Sequence, residues 1–77
     1  MPRLPPGATL GILGNGQLGR MLCLAAAPLG FRTHVYGPDK NSPAELVATS
    51  STVADYDDET ALAAFAKAVD VVTFEFE

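Results

Sequence analysis

Thr9-Leu10-Gly11-Ile12-Leu13-Gly14-Asn15-Gly16-Gln17-Leu18-Gly19-Arg20 runs from a short apolar segment, through closely spaced glycines, into a segment with helical spacing. A strand that turns through glycines into a helix N-terminus presents backbone N–H groups at the positive end of the helix dipole, which suits an anion. Gly14 fits the tight turn, Gly16 lets backbone approach a ligand, and Gly19 lets the helix lie close to the strands. The stretch therefore predicts a strand-turn-helix unit built to hold a phosphate-bearing small molecule.

Outward from that unit, Leu18, Leu22, Ala25 and Leu29 fall at helical spacing and predict one apolar face, with Pro28 and Gly30 stopping the helix. Phe31 to Tyr36 is rich in β-formers and ends at Gly37-Pro38, so it reads as a second strand. Residues 39–43 form a loop, Ala44 to Ala48 one helical turn, and Ser51 to Val53 a short strand. Asp57-Asp58-Glu59 supplies a cap and an acidic first turn for a helix carrying Leu62, Phe65, Ala66 and Val69. A fourth strand follows over Asp70 to Phe74. The alternation predicts an α/β fold with a parallel sheet in the order 3-2-1-4 and helices on both faces. The first eight residues are expected to be a disordered leader. Residues 9–77 are expected to be one incomplete domain, cut short after its fourth strand.

With 77 residues the chain supports at most one domain, and a domain of this size buries only roughly 60% of its unfolded surface. Apolar residues make up 48% and charged residues 18%, which argues for a packed globule rather than disorder. The net charge of -4, with five Lys and Arg in no cluster, weighs against nucleic-acid binding. Cys23 is the only cysteine, which excludes an internal disulfide and suggests a reducing, cytoplasmic setting. No apolar run approaches the roughly 20 residues that span a bilayer, and the prolines of the leader do not suit a signal peptide.

Gln17-Leu18-Gly19-Arg20-Met21, together with the closing Thr73-Phe74-Glu75-Phe76-Glu77, resembles the N-terminal domain of the N5-carboxyaminoimidazole ribonucleotide synthetase family. These are ATP-grasp ligases of purine biosynthesis. The resemblance implies a Rossmann-like pre-ATP-grasp domain, with the ATP-grasp and C-terminal domains absent from this chain. It implies that ATP and bicarbonate form carboxyphosphate and that 5-aminoimidazole ribonucleotide captures the carboxyl group. It places the ligands of ATP and Mg2+ outside this chain, leaves this chain without a catalytic residue or activity of its own, and suggests a homodimer for the longer enzyme. By position it implies ribonucleotide contacts from Gly16, Gln17, Leu18 and Glu75. Position 15 is often glycine in the family, and Asn15 is expected to serve because asparagine tolerates a left-handed backbone.

Other residues are candidates on their own chemistry. Gly14 and Asn15 share the loop with Gly16. Arg20 opposes the dipole in the first helical turn, which suggests a ligand or another domain as its partner, although an exposed Arg there costs little. Asp39 lies twenty positions after Gly19, where a dinucleotide-binding domain places its ribose acid, and this supports a rival NAD-binding oxidoreductase; a turn-forming acid is the plainer reading. Glu75 and Glu77 share one side of the fourth strand's C-terminal end, where carboxylates suit hydroxyl or amino groups. Solvated strand-end acids are the alternative. His34 and Cys23 read as packing residues. A glycinamide ribonucleotide transformylase remains a further alternative, although that family usually carries Glu where this chain has Gln17. So does a noncatalytic partner-binding domain.

Overall fold

The computed structural model describes residues 5–74. It comprises β1 (Thr9–Leu13), α1 (Gln17–Ala26), a 3-10 turn (Ala27–Leu29), β2 (Arg32–Gly37), β3 (Ser50–Val53), α2 (Glu59–Ala68) and β4 (Val71–Phe74). All strand pairs are parallel and the order is β3-β2-β1-β4, as the alternation predicted. Leu13 is level with Tyr36 on one side and Phe74 on the other, so the chain leaves three strands at the same edge.

Successive residues of β1 face opposite sides of the sheet and meet different helices. Ile12 packs with Val35, Cys23 and Ala44 in the core on the α1 side. Gly11 faces α2, where a Cβ would lie 2.7 Å from Val69 Cγ2 and 2.8 Å from Phe65 Cζ. His34 and Tyr36 set their rings 5.4 and 5.3 Å from Phe65 on that same side. The two helices therefore cover opposite faces.

The buried stripe of α1 differs from the one its leucines suggested. Gly19, Cys23 and Ala26 are buried, whereas Leu18 and Ala25 are exposed and Leu29 is 67% exposed. Only Leu22 of the expected set packs against the core. A helix lying close over a sheet selects its smallest side chains for the contact, and here these stand roughly a quarter turn from the leucines. Met21 and Leu24 join the exposed apolar surface.

Helix α1 passes into the 3-10 turn through Pro28, and Gly30 closes it at φ 85°, donating its N–H to the Ala27 carbonyl. In α2 the Asp58 carboxylate accepts from the Ala61 N–H at 3.0 Å, with Glu59 in the first turn and Lys67 in the last, both matching the dipole. Strand β4 is tied to β1 through Asp70, whose N–H donates to the Thr9 carbonyl and whose Oδ2 accepts from the Thr9 N–H at 2.7 Å. Residues 44–48 close a single hydrogen-bonded turn from the Ala44 carbonyl to the N–H groups of Val47 and Ala48.

Residues 5–8, expected to end a disordered leader, are docked instead. Gly7 N–H donates to the Gly30 carbonyl at 2.8 Å, Arg32 N–H donates to the Ala8 carbonyl at 2.9 Å, and Ala8 is buried. These bonds join the segment to the loop that leads into β2. The rest of the expected leader, residues 1–4, lies outside the described residues. No described helix is long and apolar enough to cross a membrane.

Candidate ligand-binding turn

The turn after β1 forms because Gly14 adopts φ 131°, a conformation that L side chains resist, while its N–H donates to the Tyr36 carbonyl at 2.8 Å. Gly16 caps α1 with extended backbone at φ -85°, and as a glycine it offers no side chain to the first-turn N–H groups. No acidic residue stands in that first turn. The positive end of a ten-residue helix is thus presented at the sheet edge where parallel α/β folds bind ligands. Gln17 and Leu18 begin the helix and are exposed, as is Arg20.

Asn15 reaches its place by a different route from the one expected. Among the described non-glycine residues only Asn41 has a positive φ, so Asn15 uses no left-handed backbone. It is instead 5% exposed, and its Nδ2 donates to the Asp39 carbonyl at 2.9 Å. The Asn15 carbonyl accepts from the Ala44 N–H at 3.2 Å. Its side chain also fills the place a Cβ on Gly37 would take, a pairing with no local signature in the sequence.

Asp39 lies two residues beyond the end of β2, with Gly37 and Pro38 between the last ring-bearing strand residue and its exposed side chain. Its carbonyl is the acceptor for Asn15. Glu75 and Glu77 lie outside the described residues.

The remaining chemistry-bearing side chains are held structurally. His34 Nε2 lies 2.7 Å from Thr52 Oγ1 and Nδ1 lies 3.0 Å from Ser50 Oγ. Burial lowers the His34 pKa and favours the neutral ring. Burial raises the Cys23 thiol, outweighing the hydrogen bond with Thr33, so the thiol stays protonated and unreactive. Tyr36 donates its hydroxyl to the Asp55 carbonyl at 2.6 Å. Burial raises its pKa, and the Asp58, Asp55 and Asp57 carboxylates add to the shift. Among the described residues no three His, Cys, Asp or Glu side chains come together to hold a metal ion. Among the described residues, the turn offers backbone at the positive end of α1, the chemistry that suits an anion or a polar group.

Comparison with known proteins agrees with this geometry. Residues 7–77 match the family model of the ribonucleotide synthetase preATP-grasp domain. The chain is 54% identical over 74 residues to the bifunctional purine synthesis protein purC/E of Dictyostelium discoideum, covering 96% of this chain and 7% of that protein. It is likewise 54% identical over 74 residues to the N5-carboxyaminoimidazole ribonucleotide synthase of Brucella melitensis biotype 1, covering 96% of this chain and 20% of the relative. A crystal structure of an N5-carboxyaminoimidazole ribonucleotide synthetase in complex with ADP superposes with a TM-score of 0.91 at 51% identity, covering 95% of this chain and 19% of that one. The chain thus spans a fifth or less of the length of these relatives.

Proposed function

The chain belongs to the ribonucleotide synthetase preATP-grasp domain family, and from that premise we propose that it is the N-terminal, ribonucleotide-binding part of an N5-carboxyaminoimidazole ribonucleotide synthetase. In this reading the longer enzyme uses ATP and bicarbonate to carboxylate the exocyclic amine of 5-aminoimidazole ribonucleotide. It works with Mg2+, as a homodimer in the cytoplasm. The observation that carries the reading for this chain is the glycine-capped N-terminus of α1, set at the edge where β1, β2 and β4 end together.

Each residue has a limited task. The backbone of Gly16, Gln17 and Leu18 receives the anionic or hydroxyl-bearing end of the ribonucleotide, and the Gln17 amide adds a directional contact. Glu75 accepts a hydrogen bond from the ribonucleotide, and Gly14 gives the turn its shape. Arg20 stands one helical turn on, where it can pair with the phosphate charge. In this reading ATP and its Mg2+ are held outside this chain, so no chemical step is assigned to these 77 residues.

The test is a titration of the isotope-labelled chain, followed by amide NMR, with 5-aminoimidazole ribonucleotide, ATP and NAD in turn. The expected result is shifts at Gly14, Gly16, Gln17 and Leu18 with the ribonucleotide and none there with ATP. Shifts with NAD centred on Asp39, and none with the ribonucleotide, would replace this reading with dinucleotide binding.

A further inference from the structure

The turn described above is joined to a second loop by a single inward-pointing amide. Asn15 lies between the two turn glycines and is 95% removed from solvent. A buried carboxamide needs partners, and among the described residues Asn15 finds them at the end of β2 and on the segment leaving it. Nδ2 donates to the Asp39 carbonyl at 2.9 Å, the backbone carbonyl accepts from the Ala44 N–H at 3.2 Å, and the side chain closes over Gly37. Ala44 in turn sits 3.4 Å from where a Cβ on Gly19 would lie, so the same segment also braces the first turns of α1.

We propose that Asn15 is a positioning residue for the ribonucleotide site: without touching the ligand, it holds residues 38–44 as a fixed wall beside the N-terminus of α1. The inference rests on the ribonucleotide reading of that turn. The hydrogen bond is directional, because only the amide nitrogen can donate to a carbonyl. The wall also stands where open parallel sheets place their ligands, so its displacement changes the site and not merely a remote loop. Pro38, Asp39, Lys40 and Asn41 are the exposed residues of the wall.

The experiment compares the full chain with Asn15→Ala, using 5-aminoimidazole ribonucleotide as the probe and amide NMR as the readout. In Asn15→Ala the spectrum is expected to stay dispersed and amide exchange over residues 39–44 to accelerate. The ribonucleotide dissociation constant should rise about tenfold, the scale of one lost buried hydrogen bond. Shifts at Gly16 to Leu18 should keep their pattern at the higher ligand concentration. If the unsubstituted chain shows no response to the ribonucleotide, the functional reading fails and this inference with it. If that chain binds and Asn15→Ala binds equally well, the functional reading stands and the positioning role is overturned. Should Asn15→Ala not fold, Asn15→Ser, which can still donate one hydrogen bond, decides the question: partial retention of affinity with faster exchange at 39–44 supports the role, and unchanged affinity overturns it.

Discussion

The carbonyl oxygen of Gly14 occupies the space that a Cβ on Gly19 would take, with the Gly14 carbonyl carbon 3.3 Å from that position. In an ordinary helix interior, Gly→Ala stabilises by up to about 1 kcal/mol. At Gly19 the added methyl meets rigid backbone, so Gly19→Ala should instead destabilise by about 1–3 kcal/mol. Urea unfolding followed by circular dichroism measures this, and a raised midpoint would show that the turn yields.

Protonation of His34 should weaken the fold. Its folded pKa is lowered by burial, while the unfolded value is near 6.5. Between those two values the unfolded chain binds more protons, so stability is full above about 6.5 and is lost as pH falls through that window. The groups facing the ring are the Ser50 and Thr52 hydroxyls of β3 and the Phe65 ring of α2, none of which titrates there. The urea midpoint should therefore drop between pH 7.5 and 5.5, and His34→Gln should shrink that drop. An equal drop in the variant would assign the effect elsewhere.

Removal of the α2 cap is the simplest test of local helix energetics. Asp58→Ala frees the Ala61 N–H and should cost about 0.5–2 kcal/mol, whereas Asp58→Asn keeps an acceptor and should cost less. Thermal unfolding of the two variants distinguishes them. Equal losses would point to the charge rather than the hydrogen bond.

Gly16→Val separates ligand approach from folding. Gly16 has a negative φ, so a valine there has no left-handed backbone to oppose it. Unfolding should change little while ribonucleotide affinity falls at least about tenfold, because the side chain stands where ligand must meet backbone. Calorimetry showing unchanged affinity would remove the turn from the site.

The parts of the fold that rest on chain-local chemistry were legible in the sequence. The strand that opens the quoted stretch, a cap within Asp57-Asp58-Glu59 and the strand order all follow from apolar periodicity, turn residues and the strand-helix alternation. The buried stripe of α1 was only partly legible: Gly19 and Cys23 read as packing positions, yet periodicity ranks Leu18 and Leu29 above them. The distance between helix and sheet then reverses that ranking. In the site, the glycine turn announced itself, whereas the work of Asn15 did not. Its partners Gly37, Asp39 and Ala44 stand more than twenty positions away, and no spacing rule links an amide to a main-chain carbonyl at that range. Asp39 shows the converse: its spacing matched a ribose acid, while in the fold its carbonyl serves the neighbouring loop.

The hydroxyl pair around His34 also acts as a check on alignment. Strand β3 is four residues long and lies at the sheet edge, with Val53 its only large apolar side chain, so its apolar content specifies its position along β2 only weakly. Ser50 and Thr52 point to one side and together meet both ring nitrogens. A slip by one residue in one direction would offer Ser51 and Val53 instead, leaving one nitrogen facing a hydrocarbon, whereas the opposite slip would bring up the hydroxyls of Thr49 and Ser51. The imidazole thus reads the phase of its neighbour against a slip toward Val53, and that misaligned sheet is penalised by a stranded polar atom rather than by lost packing.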